Sequence, residues 1–300
     1  MRVLITGATG LIGKDIVKLC HRNNIQVNYL TTRKSQISQT ENYQGFYWNP
    51  KTLEIDTRCF NGVDAIIHLA GASISNRWTP SYKKEILASR TASTALLVNN
   101  LKGETHTIKH VISASSIGIY PSSETKYYDE NFKTSKTSFL SKVTCAWEHE
   151  VDAFKQLNIM VSKIRIGLVL SDKGGVLTEM IKPTKYGVGT VFGCGKQWQS
   201  WIHHSDLSQM IFYVLQHKLS GVYNAVAPNP VTNKEFVKSI NRVLDKSLFV
   251  VKLPKILMRM VLGEMHTILF ESQRVSSKKI EDKGFYFEYH HLEPALIDLL

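Results

Sequence analysis

Eight residues near the start of the chain, "TGATGLIG", set Gly7, Gly10 and Gly13 at a G-x-x-G-x-x-G spacing, directly after the β-branched run "RVLI" and on the first turn of a helical pattern. Glycine permits a tight turn and lets backbone N–H groups approach a pyrophosphate, which also meets the positive end of the helix dipole. A strand before and a helix after the glycines give the pattern its context, and the chemistry it implies is dinucleotide binding. A second signal stands at the end of the next strand pattern, "YLTTRK". Sites that prefer NAD usually offer an acidic residue there to the ribose 2′-hydroxyl. This chain has Thr32, Arg33 and Lys34 and no carboxylate. Cationic side chains, arginine above all with its planar donor fork, suit a 2′-phosphate. NADP is therefore the expected cofactor, although the same two residues would also serve as a solvated loop.

The elements that must position these residues are legible as short β-branched runs: "RVLITG", "IQVNYLTT", "VDAIIHLAG", "KHVISASS" and "IMVSKIRIG". Helical spacing separates them, as in "LIGKDIVKLCHRN" and "PSYKKEILASRTASTALLVNNL". This alternation predicts an α/β protein: a Rossmann-like, doubly wound parallel sheet with ligands at the carboxyl ends of its strands, followed by a smaller C-terminal α+β lobe. The expected division is a cofactor-binding core over 1–170, to which later segments return, and a substrate-side lobe over 171–300, with a helical C-terminal domain from about 248. Ser205 and Thr232 are candidate N-caps of helices in that lobe.

Thirty-seven Lys plus Arg against 25 Asp plus Glu give a net charge of +12. These charges are scattered and no nucleic-acid recognition motif accompanies them, so the expected partner is a small molecule and not a nucleic acid. Four cysteines stand far apart, with no C-x-x-C pair and no metal-ligand spacing among the eleven histidines; they are expected to be reduced, and no metal is expected. No stretch reaches the roughly 18 apolar residues of a membrane span, and Met1 runs into a strand pattern without a signal sequence. A cytoplasmic protein with no membrane partner is the expectation.

"TGATGLIG", "HLAG", "SASS" and "WIHHSDL", in that order, resemble the extended short-chain dehydrogenase/reductases of the nucleotide-sugar epimerase type. "NRWTPSYKKEILASR", "CAWE", "RIGLVLSDKGGVL", "NAVAPNPVTNKEF" and the tail "LGEMHTILFESQRVSSKKIEDKGF" narrow this to an atypical epimerase-like subfamily with a small C-terminal domain of unknown role. The resemblance spans essentially the whole chain. It implies that Gly7, Thr9, Gly10, Leu11 and Ile12 hold the pyrophosphate and that Thr32 and Arg33 meet the adenosine ribose. It also implies that Leu69, Ala70 and Gly71 line the cofactor, that Glu85 and Arg90 contact it, and that Val169 approaches the nicotinamide end. A homodimer is a further implication.

The wider superfamily moves hydride with the help of a Tyr-x-x-x-Lys pair on one helix face, where the ammonium lowers the phenol's pKa and a serine from the neighbouring strand positions the same oxygen. Ser115 fits the serine role, with Ser116 beside it. In the expected helix, "TSFLSKVTCAWEHEV", the phenol is missing: Phe139 and Leu140 stand in its place, and Lys142 remains. The Tyr47-to-Lys51 match lies elsewhere, beside a proline. Tyr120 is the nearest candidate for a replacement phenol and Lys142 a candidate ribose contact. Two readings therefore stay open. One is an NADP-dependent oxidoreductase or epimerase acting on a hydroxyl or carbonyl, with a nucleotide sugar as a candidate substrate; the other is a non-catalytic NADP(H)-sensing protein.

Overall fold

Alternate residues of the first strand, β1 (Arg2–Thr6), serve opposite faces of a sheet: Val3 and Ile5 join one apolar cluster and Leu4 another. Such a strand is covered on both sides. The computed structural model describes residues 1–134, 136–245 and 249–300. After β1 come α1 (Leu11–Arg22), β2 (Gln26–Thr31), β3 (Tyr43–Asn49), β4 (Ala65–His68), α2 (Pro80–Leu101), β5 (His110–Ser116), α3 (Phe139–Asp152) and β6 (Met160–Ile166). The chain then leaves the sheet for β7 (Leu168–Leu170), β8 (Val188–Phe192), β9 (Trp201–His203) and α4 (His204–Gln216), and rejoins it as β10 (Gly221–Ala225). α5 (Asn233–Val243), β11 (Phe249–Leu253), α6 (Lys255–Leu262) and α7 (Leu292–Leu299) complete the lobe.

The central sheet runs β10-β6-β5-β4-β1-β2-β3, and every neighbouring pair in this series is parallel. Strand order reverses between β1 and β4, which opens the crevice where doubly wound sheets take their ligands. α1 and α4 cover one face: Ile16 and Cys20 pack with Leu207, Met210 and Ile211. α2 and α3 cover the other through Leu97, Leu101, Trp147 and Val151. The lobe has its own core of Leu170, Val191, Trp201, Phe236, Ile240 and Leu296. Its tail reaches back through Met265 and Ile268 to Trp78, Ile86 and Val143 beside α2 and α3. Among the described residues no helix is long and apolar enough to cross a membrane.

Two local expectations differ from the structure. The segment 43–49 falls outside the runs that read as strands, yet it pairs with β2 over five residues. Gly45 interrupts its pattern for a packing reason: a Cβ there would come within 2.5 Å of the Tyr29 hydroxyl. That hydroxyl donates to Gln36 O and accepts from Ser38 N, and the Tyr29 ring stacks on Tyr43 at 4.2 Å. Ser205 does not cap α4; His203 does, accepting from Ser205 N. Thr232 caps α5 by accepting from Glu235 N. Because the Tyr29 ring is buried, stacked on Tyr43 and held through its hydroxyl, Gly45→Ala is expected to lower the unfolding free energy by ~1–3 kcal/mol, the usual range for overpacking. Urea denaturation would check this, and a change below about 0.5 kcal/mol would contradict the packing account.

Candidate functional site

The glycine turn lies between β1 and α1 as the spacing predicts. Gly7 has φ +74°, which favours glycine, and a Cβ on Gly13 would stand 2.1 Å from Gly7 O, so the helix can approach the turn only without one. Thr9 and Gly10 are exposed at the tip, Leu11 and Ile12 half-buried behind them. Gly10 is the N-cap of α1, no side chain caps the helix, and no acidic residue occupies its first turn. The first N–H groups of α1 are therefore uncapped, and no carboxylate there opposes a phosphate. The residues present fit a dinucleotide's pyrophosphate.

At the end of β2, Thr32, Arg33 and Lys34 are all exposed. The Lys34 ammonium lies 4.9 Å from the Tyr47 ring centroid. The backbone N–H of Arg33 donates to Thr31 Oγ1 at 3.1 Å.

The end of β4 is fixed by a buried relay. Thr6 Oγ1 accepts from the backbone N–H groups of Leu69 and Ala70 at 3.1 and 3.0 Å and lies 2.7 Å from His68 Nδ1. With two donors already on that oxygen, its own hydrogen goes to Nδ1, so His68 carries its proton on Nε2, facing Thr94 Oγ1 at 3.1 Å. Burial pulls the imidazole down to about 4, and it is neutral at physiological pH. Leu69 and Ala70 thus spend their N–H groups inside the protein and offer a ligand side chains and carbonyls. Gly71 is exposed, and Arg90 packs beside it with its guanidinium 5.2 Å from the Trp147 ring and a bond to Ile86 O. Glu85 instead pairs with Lys51 at 2.9 Å. Val169 is half-buried in β7, paired with Ile202.

The groups expected to handle protons lie in a second buried network. Glu148 of α3 accepts from Ser115 Oγ at 2.6 Å and from Arg165 Nε and Nη2 at 2.8 and 3.1 Å. Arg165 Nη1 donates to Tyr120 Oη at 2.9 Å, and that hydroxyl donates to Asn224 Oδ1 at 2.8 Å. Burial pulls the Arg165 guanidinium down, but the bonds and charge of Glu148 outweigh it and hold it above its usual value. Tyr120 is 1% exposed, and burial pushes its phenol up to about 12 against the opposing pull of Arg165. A replacement-phenol role for Tyr120 does not fit this geometry, because both hydrogen-bonding directions of its oxygen are taken. Ser116 accepts from Gly118 N and caps a short turn, and Lys142 is exposed on α3.

Two concavities stand out. The larger lies at the amino ends of β1 and β2, beside Met1 and Asn24, away from the glycine turn. The other, of about 290 Å³, is walled by Trp78, Ser138, Phe139 and Leu140 from the core and by His266 and Glu271 from the lobe. Trp78 follows β4 and Ser138 caps α3, so this cavity opens on the carboxyl-end side of the sheet. Glu271 is half-buried there, and burial pushes its carboxyl up to about 7. Neither His68 nor Glu271 stands out in the sequence as a functional candidate; one sits inside "HLAG" and the other is a single acid closing the apolar run "TILFES".

Residues 3–225 match the NAD dependent epimerase/dehydratase family and residues 253–299 a domain of unknown function, DUF1731. An epimerase family protein of Staphylococcus aureus is 36% identical over 298 residues, covering 99% of this chain and 98% of the relative. One from Staphylococcus epidermidis is 34% identical over 300 residues, covering 100% and 99%. The solved structure of human epimerase family protein SDR39U1 with NADPH superposes with a TM-score of 0.86 at 27% identity, covering 100% of this chain and 99% of that one. A nucleoside-diphosphate sugar epimerase from Corynebacterium glutamicum gives 0.77 at 27% identity, covering 99% of this chain and 57% of that one. The chain belongs to the NAD dependent epimerase/dehydratase family, as an atypical extended short-chain dehydrogenase/reductase with the small C-terminal domain.

Glu148→Ala strands the Arg165 charge inside the protein and is expected to lower the unfolding free energy by ~3–5 kcal/mol, the range for removing one partner of a buried pair. Combining it with Arg165→Met should recover much of that loss, since the unpaired charge is then gone. Urea titrations of both variants test this; equal losses in the single and the double variant would contradict it.

Proposed function

We propose that this protein is an NADP(H)-dependent oxidoreductase that moves hydride reversibly between the dinucleotide and a hydroxyl or carbonyl of a small molecule, with a nucleotide-linked sugar as the substrate class. The observation that carries the cofactor reading is the end of β2, where Arg33 and Lys34 are exposed and no carboxylate stands beside Thr32. The human relative solved with NADPH supports it. The sugar class rests on the Corynebacterium glutamicum neighbour.

When bound, the dinucleotide supplies or accepts the hydride. The protein's own part is to seat the pyrophosphate on the α1 N-terminus through Gly7, Thr9 and Gly10, to meet the 2′-phosphate with Arg33 and Lys34, and to hold the substrate in the cavity beside Leu140. The four cysteines form no disulfide and fit the reducing cytoplasm.

The NADP(H)-sensing alternative has one observation in its favour: the missing Tyr-x-x-x-Lys pair, with Tyr120 locked in the interior. Transfer of deuterium from labelled NADPH to a carbonyl substrate separates the two. For the cofactor itself, a charge-assisted hydrogen bond contributes about 1.5–3 kcal/mol, or roughly 10- to 100-fold in Kd. NADPH is accordingly expected to bind at least about 10-fold tighter than NADH, and Arg33→Ala with Lys34→Ala should erase that ratio while leaving NADH unchanged. Fluorescence titration with both dinucleotides reads this out; a wild-type preference for NADH would end the NADP assignment.

A further inference from the structure

We propose that Glu271 is the proton donor and acceptor for the reaction, taking the part that a tyrosine on α3 plays elsewhere in the superfamily. This inference rests on the hydride-transfer reading above. Glu271 closes the short helical turn Thr267–Phe270 and lines one cavity together with Phe139 and Leu140, the residues that stand where the phenol is missing. The lobe thus brings an ionisable residue to the same cavity.

Its surroundings separate it from the other acids of the region. Glu148 is held by Arg165, and Glu264 is held by Lys83 of α2 at 2.6 Å. Glu271 is half-buried and enters no side-chain hydrogen bond or ion pair among the described residues; its backbone N–H donates to Thr267 O. The charged or titratable groups around the cavity are Arg259, Glu264 and His266, on α6 and the turn after it, and Lys83, which pairs with Glu264 and stands 4.8 Å from the Phe139 ring centroid. The side chains of Trp78, Ser138, Phe139 and Leu140 bring no charge. Burial raises the Glu271 pKa to about 7. An unpaired carboxyl in partly apolar surroundings favours its neutral form. A carboxyl poised near neutrality is what proton exchange at physiological pH requires.

In the reducing direction the protonated carboxyl gives its proton to the substrate's carbonyl oxygen as the carbonyl carbon receives a hydride from the reduced dinucleotide. The products are the alcohol, the oxidised dinucleotide and the Glu271 carboxylate, which regains a proton from water. In the oxidising direction the carboxylate takes the hydroxyl proton as the hydride leaves.

The test uses the full chain and Glu271→Gln, which keeps the size and removes the titration. Two probes, phenanthrenequinone and a UDP-linked keto sugar, are supplied with NADPH, and melting temperature is followed across pH without any probe. In the unfolded chain the carboxyl ionises near about 4.3, in the folded chain near about 7. Between those values the folded state binds more protons, so wild-type stability falls through this window and levels off above it. The variant's melting temperature should therefore rise relative to wild type from about pH 4 to about pH 7 and hold there, with NADPH affinity unchanged within about twofold. Wild-type probe reduction should fall above about pH 7, and Glu271→Gln should reduce the rate by at least about 100-fold and abolish that limb. If wild type reduces a probe and the variant matches its rate and pH profile, or if the melting difference does not depend on pH, the Glu271 proposal is overturned while the hydride-transfer reading stands. If wild type binds NADPH but reduces neither probe, both fall together.

Discussion

The carboxyl half of the sheet is organised around one buried charge pair, Glu148 with Arg165. A guanidinium and a carboxylate this deep are stable only if every remaining donor and lone pair is used, and here they recruit Ser115 from β5, Tyr120 from the loop after it and Asn224 from β10. Asn224 continues the chain of bonds, donating its Nδ2 to Ser276 O and its backbone N–H to Glu130 Oε1. The last sheet strand, the loop after β5 and the tail at Ser276 are therefore tied to the same two charges. Lys163 adds a second cation, 3.8 Å from Glu148 and 2.8 Å from Asp152, so charge in the region stays balanced.

This constraint decides which hydroxyls are free to do chemistry. Ser115 donates its proton into the network and Tyr120 both donates and accepts within it, so neither is poised toward the cavity. A phenol with a pKa near 12 is also a poor match to proton exchange at neutral pH. The residues that look reactive in the sequence hold the architecture, and the cavity is left to a different element.

The sequence discloses some parts of this and hides others, and the difference follows from the range of the interactions. The glycine turn is local: Gly7, Gly10 and Gly13 act within one turn of chain, so their spacing contains the whole requirement. The sheet is nearly as legible, because strands covered on both faces read as continuous β-branched runs; β3 escapes because Gly45 answers to Tyr29, sixteen residues away in the chain. The Glu148–Arg165 network joins residues from four elements, and "CAWE" carries no sign that its glutamate faces inward. Glu271 is harder still. Its environment is made by α3 and the loop after β4, more than a hundred residues earlier in the chain, and nothing in "TILFES" encodes that meeting.

Placing the ionisable group on the lobe has a consequence for how the two parts of the molecule cooperate. On α3 a tyrosine would be set by the core alone. Glu271 reaches the cavity only because Met265 and Ile268 dock against Trp78, Ile86 and Val143 and because Gln197, from the segment before β9, donates to Leu269 O. The docking that half-buries the carboxyl also raises its pKa, so the same contacts set both its position and its proton affinity. Loosening them would let more water in, return the carboxyl toward the ordinary range and widen the cavity at the same time. In this arrangement the C-terminal domain does more than cover the core: its packing against α2 and α3 is the physical condition for having a proton-exchanging group in that cavity.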